Sequence, residues 1–369
     1  MSSKSVALEI LQAAGIPLNS SEPWSIHVHN EKLWDRVISQ RELGFGESYI
    51  EGWWDCEAID VMLTKLLSIN VLKLLKPSPL LAFHAARSSL FNNQTKRRAA
   101  ANAKHHYNIG NDLFSRMLDS EMAYSCGYWS KADSLAEAQL DKFDLICRKL
   151  DLQPGMRLLD IGSGWGGFLR HAVKNYGVTA TGISPADNQI NLAREKSEGL
   201  GITFIQQDYR DLTGEFDRIV SVGMMEHVGP KNYKTFFEKC DELLAQGGLM
   251  LHHTIASNVT KYVVDPFFDR YIFPGGVLPS LAQISGTVEN TFVIEDVHNF
   301  GPDYDRTLLE WKKNISGKWQ EIPQFDLRFQ RMWNYYLLSS AAGFRAGNLQ
   351  LIQCVFQRVG QRPTYITAR

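Results

Sequence analysis

The stretch Leu158-Leu-Asp-Ile-Gly-Ser-Gly-Trp-Gly-Gly167 decides the fold. An apolar run leads into closely spaced glycines, which predicts a buried strand, a tight turn and the start of a helix. Gly162 and Gly164 let the backbone turn sharply and come close to a ligand. The free N–H groups of the helix that follows favour electronegative ligand atoms. Gly162, Gly164 and Gly167 also fit GxGxxG, the spacing of dinucleotide-binding turns. That reading requires an acidic residue about 20 positions on, at the end of the second strand. Here the strand ends Thr181-Gly-Ile-Ser184 without a carboxylate, and Asp187 lies beyond Pro185. A nicotinamide cofactor is therefore disfavoured, and a glycine-rich turn without a ligand stays open. Asp160, just before the first glycine, can fix the loop or accept a ligand N–H.

Outward from this turn, short apolar runs at 179–183, 203–206, 217–222 and 249–255 alternate with helical patterns at 168–175, 189–198 and 233–244. Strands alternating with helices predict an α/β fold with a parallel, doubly wound sheet. Residues 256–324 read as irregular and aromatic, longer than an ordinary loop and suited to covering a site. A helix at 325–341 and a strand at 349–358 close the chain. Upstream, residues 6–14, 31–40 and 59–75 show helical apolar spacing, with Pro77 and Pro79 ending the last. The glycines of 44–52 read as a turn into Trp53 and Trp54. The expected organisation is a smaller, mainly helical N-terminal domain (1–91), a basic linker (92–106) and a catalytic domain (107–369) with a covering insertion at about 256–324.

The chain has 369 residues, 44% of them hydrophobic and 21% charged, which excludes general disorder. There is no apolar run long enough to span a bilayer, and the start of the chain makes a poor secretory signal. Five scattered cysteines form no CxxC pair, so a disulfide framework or cysteine-rich zinc site is not expected, and a reducing cytoplasm fits. The net charge of −1 conceals an asymmetry. Residues 61–106 hold eight Lys/Arg and no Asp or Glu, leaving 31 basic and 40 acidic residues elsewhere. Such a segment can face an anionic lipid surface or simply be a solvated basic face. It lacks the base-stacking motifs of a nucleic-acid site, so no nucleic-acid partner is expected.

The pattern Leu-Asp-Ile-Gly-x-Gly-x-Gly resembles the first motif of class I methyltransferases, which bind S-adenosylmethionine. Gln207-Asp208-Tyr209 after the third strand, residues 216–223 and Gly247-Gly-Leu-Met-Leu251 follow in the matching order. More specific are His106-Tyr-Asn-Ile-Gly-Asn-Asp-Leu-Phe114, Tyr124-Ser-Cys-Gly-Tyr-Trp129, Gly223-Met-Met-Glu-His-Val-Gly229, His252-His-Thr-Ile255 and Tyr271-Ile-Phe-Pro-Gly-Gly-Val-Leu-Pro279. Together these resemble the bacterial cyclopropane-fatty-acyl-phospholipid synthases and, more distantly, the mycolic-acid cyclopropane synthases. Leu43-Gly-Phe-Gly-Glu-Ser-Tyr-Ile-Glu-Gly-Trp-Trp-Asp55 favours the phospholipid branch.

The resemblance implies transfer of a methylene group from S-adenosylmethionine to a cis double bond of a phospholipid acyl chain, with a bound bicarbonate as proton acceptor. It implies cofactor contacts at Tyr124, Ser125, Gly162, Ser163, Gly164, Ser184, Gln189, Gln207, Asp208 and Tyr209, with Asp160 in support. It implies bicarbonate ligands at Cys126, Glu226, His253, the backbone of Ile255, and Tyr304. It also implies a homodimer, peripheral on the inner face of the cytoplasmic membrane. Read from the residues alone, other roles stay open: a structural carboxylate at Glu226, packed strand histidines at 252 and 253, a core thiol at 126 and a loop aromatic at 304. Adjacent His252 and His253 must point to opposite faces of a strand. Tyr271, Phe273 and Tyr304 could face a cation through their rings. Serines stand at 163 and 340 where the family pattern carries cysteines, which argues against thiol catalysis there. A relative forming branched or hydroxylated lipids, and a catalytically silent lipid-binding protein, are the alternative readings. No metal site is expected.

Overall fold

The protein is described from a computed structural model covering residues 2–69, 110–263, 265–361 and 365–369. Its centre is a seven-stranded sheet in the order β5-β4-β3-β6-β7-β9-β8. The strands are β3 (Arg157–Ile161), β4 (Thr179–Ser184), β5 (Ile202–Gln206), β6 (Phe216–Val222), β7 (Leu244–Ser257), β8 (Phe292–Asn299) and β9 (Leu349–Arg358). β5 through β7 run parallel, and β9 pairs antiparallel with both β7 and β8. In β3, Leu158, Leu159 and Ile161 are fully buried, as expected of a parallel strand covered on both faces. Helices Gly167–Tyr176, Asp187–Lys196 and Tyr233–Leu243 supply the crossovers. The strand order reverses between β3 and β6, and a crevice at such a switch point, outside the carboxyl ends of the strands, is the ligand position in open α/β sheets. This order and its switch point agree with the class I methyltransferase fold expected from the sequence.

Two expectations are corrected. Residues 44–50 are helical, not a turn: they continue helix Leu33–Ile50 beyond a kink at Arg41 (φ 55°). Their glycines serve close packing. A Cβ on Gly44 would lie 2.6 Å from the Arg36 carbonyl oxygen, and one on Gly46 would lie 2.5 Å from the Phe267 ring. The actual turn is at Gly52 (φ 73°). Secondly, the region 256–324 is not irregular. It contains helices Pro266–Tyr271, Leu281–Val288 and Pro302–Ser316, and β8 is an edge strand of the main sheet. A register shift between Ile294 and Asp296 breaks the alternation that would have marked it.

Helix Ser3–Ala13, the short antiparallel pair β1 (His27–Val28) and β2 (Trp54–Asp55), and helix Ile59–Leu67 complete the described N-terminal part. The rest of the expected 59–75 helix, the linker 92–106 and all basic residues of 61–106 except Lys65 lie outside the described residues. The N-terminal helices pack on helix Leu327–Arg345 and share one apolar cluster with it, from Ala7 to Leu351. Trp54, fully buried, stacks on Phe45 at 4.4 Å, and Arg331 Nε donates to the Tyr49 carbonyl at 2.7 Å. Buried Glu47 binds Arg36 (2.5 Å) and Arg270 (2.9 Å) and accepts from Tyr271 Oη (2.9 Å), tying helix Leu33–Ile50 to helix Pro266–Tyr271.

Candidate active site

A cavity of about 200 Å³ opens at the carboxyl ends of β3, β4 and β6. Gly162 (φ 95°) and Gly164 (φ 52°) take the left-handed conformations that a side chain would resist. The N–H groups of Gly162 and Ser163 both donate to the Ile183 carbonyl at 3.0 Å, locking the turn onto β4. All eleven residues expected to face the cofactor line this cavity. Asp160, Gly162, Ser163 and Gly164 come from β3 and its turn. Ser184 ends β4 and Gln189 stands in the first turn of helix Asp187–Lys196, joined by a 3.0 Å hydrogen bond from the serine hydroxyl. Gln207, Asp208 and Tyr209 follow β5, and Arg210 holds the Asp208 carboxylate at 2.6 and 2.7 Å. Tyr124 and Ser125 approach from the segment before helix Leu135–Lys149, and the Tyr124 hydroxyl lies 2.8 Å from that of Tyr336.

The electrostatics of the cavity come from burial. Asp160 is 3% exposed, and its Oδ1 has no hydrogen-bond partner among the described residues. Desolvation raises its carboxyl to about 7, against the pull of Lys142. Such an oxygen suits a ligand ammonium. His227 also lines the cavity, and desolvation lowers its imidazole to about 4, so it stays neutral.

The five residues expected to hold the anion do not line this cavity; Glu226 and Ile255 are hydrogen-bonded to one another, and His253 pairs in register with the cavity-lining Val222. Glu226 sits on the short helix Met225–Val228 after β6, next to His227. Its Oε1 accepts from the Ile255 N–H at 2.7 Å, while Oε2 has no partner among the described residues. Desolvation raises this carboxyl to about 7. His253 and Ile255 share one face of β7. His253 Nδ1 lies 3.1 Å from Gln353 Nε2, and its Nε2 has no partner among the described residues. His252 turns the other way, against Phe236 and Phe237, as strand geometry requires. Cys126 is fully buried, with Sγ 3.7 Å from Thr307 Oγ1, and Gly127 N donates to the same oxygen at 3.1 Å. Thr307 lies one turn along helix Pro302–Ser316 from Tyr304, whose ring stacks on Phe344 at 4.6 Å. Of the aromatic candidates, Phe273 reaches the cavity, whereas the Tyr271 hydroxyl is engaged by Glu47.

A family model described as mycolic acid cyclopropane synthetase matches residues 94–354. The chain belongs to this family. It is 48% identical over 354 residues to the cyclopropane-fatty-acyl-phospholipid synthase of Escherichia coli (strain K12), covering 96% of this chain and 93% of that protein. Among solved structures it resembles mycolic acid cyclopropane synthase CmaA1 complexed with SAH and CTAB (34% identity, 70% of this chain and 98% of that one, TM-score 0.65). It also resembles the cyclopropane synthase MmaA2 of Mycobacterium tuberculosis (28%, 70% and 97%, TM-score 0.66).

Within this chain, three polar groups went unread in the sequence. Lys142 lines the cavity at 1% exposure, with Nζ 2.7 Å from Ser125 Oγ and 2.6 Å from Gln139 Oε1. Gln353 reaches His253 across the β7–β9 pair, at directly opposed positions. Thr307 supports the Cys126 turn. None belongs to a local motif, and each acquires its place through a partner distant in sequence. Ser163 donates weakly to the Ile183 carbonyl at 3.5 Å, and Ser340 is half-buried on helix Leu327–Arg345. All five cysteines are free thiols; Cys56 is half-buried and the other four are fully buried. Burial pushes every one of them upward, Cys56 to about 11 and Cys354 to about 12. Among the described residues no group of His, Cys, Asp or Glu could hold a metal ion.

Proposed function

We propose that this chain transfers a methylene group from S-adenosylmethionine to a cis double bond in an unsaturated phospholipid acyl chain, forming a cyclopropane ring. The observation that carries the reading is the adjacency of two sites. The cavity is lined by every expected cofactor residue, and beside it Glu226 Oε2 and His253 Nε2 are buried without partners among the described residues. S-adenosylmethionine fits the cavity: Asp160 Oδ1 offers an acceptor for its ammonium, and the Gly162–Gly164 turn admits close backbone approach. When bound, it supplies an electrophilic methyl carbon.

The alkene is a weak, neutral nucleophile, so the chain must hold it in line and exclude water. In the overall change the alkene π pair and the pair of one methyl C–H bond become the two new carbon–carbon bonds, the carbon–sulfur pair leaves with sulfur, and one proton leaves the former methyl group. Glu226, His253 and their neighbours could hold a bicarbonate, which would supply a base for that proton. His253 Nε2 can donate to one oxygen, and Glu226 Oε2 can accept from the bicarbonate hydroxyl. The Ile255 N–H fixes Glu226 Oε1 at 2.7 Å, which leaves Oε2 to face the ligand. Phe273 lines the cavity and can turn its ring to positive charge developing on the acyl chain. Cys126 serves as a neutral thiol, since burial holds it far above the nucleophilic range.

The lipid lies in a bilayer, and no described helix is long and apolar enough to cross a membrane. The basic segment 61–106 suits peripheral docking on an anionic inner leaflet, at about 1 kcal/mol per cation near the surface. The N-terminal helical part serves as the docking domain, and the working form is a homodimer at the cytoplasmic face.

The test is incubation of the full chain with unsaturated phospholipid vesicles and S-adenosylmethionine. The expected result is a gain of one CH2 per modified acyl chain, loss of the vinyl signal and release of S-adenosylhomocysteine (SAH). Turnover should fall when bicarbonate is stripped and return when it is restored. A methyl-branched or hydroxylated product would overturn ring formation, and no product would overturn the activity. Vesicle binding should weaken with salt and with loss of anionic lipid.

A further inference from the structure

Lys142 is a charge that the mechanism above leaves unused. Lysines are almost never buried without a counter-charge, because an ammonium loses its hydration there. Yet Lys142 is 1% exposed on helix Leu135–Lys149, and both of its hydrogen bonds, to Ser125 Oγ and Gln139 Oε1, go to neutral oxygens. Desolvation is the main influence on it and lowers its ammonium to about 8. A lysine carries three N–H donors, so one is left over. Its cavity also contains Asp160, an equally buried carboxyl whose Oδ1 is unpartnered among the described residues. One cavity thus presents a buried cation and a buried acid, and no ion pair joins the two among the described residues.

We infer that Lys142 binds the carboxylate of the cofactor's methionyl end while Asp160 binds its ammonium, so that the cavity reads the amino-acid zwitterion as well as the nucleoside. This rests on the cofactor reading above and extends it to a residue outside the glycine motif. It gives the buried cation a directly hydrogen-bonded counter-charge, since the nearby Asp119 carboxylate accepts instead from the Glu121 and Ala123 N–H groups. It also places Ser125 under Lys142, so that cofactor binding orders the turn leading to Cys126.

Calorimetric binding to the full chain tests this with three ligands: SAH, its decarboxylated analogue and 5′-methylthioadenosine, which lacks the amino acid altogether. The native chain should bind SAH about 10–100-fold more tightly than the decarboxylated analogue, as expected for a charge-assisted hydrogen bond. Lys142→Met should lose about 10–100-fold for SAH and change by less than about threefold for the other two. Equal loss for all three ligands would make Lys142 a structural prop and overturn the inference. So would equal affinity of the native chain for SAH and its decarboxylated analogue, a comparison that holds even if the variant does not fold. Failure of the native chain to bind SAH at all would instead overturn the cofactor reading beneath it.

Discussion

The parallel and antiparallel halves of the sheet build their functional groups in opposite ways. In β5-β4-β3-β6 the cavity-lining residues stand at or just beyond the strand ends, close together in sequence: Asp160 to Gly164, Ser184 and Gln189, Gln207 to Tyr209. Where β7 meets β9, the groups stand in the body of a strand. His253 is 1% exposed and is held by Gln353, 100 residues away. Turns at strand ends can adjust to a ligand at little cost. A polar group inside a close-packed strand cannot, because any shift leaves a donor or acceptor without a partner. The first half is suited to binding and release, the second to fixing a reacting geometry.

The comparison can be broken at several points. The largest effect is expected from Glu226→Gln, which keeps an acceptor for Ile255 N–H but removes the carboxylate. Turnover should fall at least about 100-fold, with SAH affinity within about twofold; loss of SAH binding would show that the two halves are not separable. Gly182→Ala should reach the binding half through packing, since its Cβ would lie 2.7 Å from Ser163 Oγ and 2.8 Å from Leu169 Cδ1. Overpacking of this kind costs about 1–3 kcal/mol, measured as a lower urea midpoint.

His252 tests the second half by pH. Desolvation lowers its folded-state value to about 3, below its ordinary 6.5. Between these values the unfolded chain binds a proton that the folded chain excludes, so stability falls as pH drops from 6.5 toward 3. His252→Leu should remove on the order of 1–2 kcal/mol of the stability difference between pH 7 and pH 5. An unchanged slope would mean that the site is already hydrated. The smallest effect is expected from Asp160→Asn, about tenfold weaker SAH binding with 5′-methylthioadenosine affinity preserved.

What the sequence made legible follows the same division. β3 is found at 157–161 and β4 at 179–184, because each is a short, largely buried segment between turn signals, Pro154-Gly155 and Gly162 around the first and Gly177 and Pro185 around the second. The cavity residues were legible through the family resemblance, whose motifs are short runs of adjacent residues. β8 was not, since its bulge shifts the phase of its side chains. Gly44 and Gly46 misled because a glycine needed for close approach looks the same in sequence as one needed for a turn. The burial of Lys142 could not be seen either. Its helix also carries Glu137, Asp141, Asp144 and Arg148, and nothing in that run distinguishes an inward lysine from a solvated one. Nor did any local pattern reveal that helix Leu327–Arg345 shares its core with the N-terminal helices.

The buried, protonated cysteines bear on how the enzyme ages. Oxidants and alkylating agents react with thiolate, and with every thiol pushed upward almost none exists near neutral pH. The chain therefore has no disulfide to lose, and its five thiols are poor nucleophiles while it stays folded. Alkylation of the folded chain should accordingly be slow at every cysteine and become fast only on unfolding.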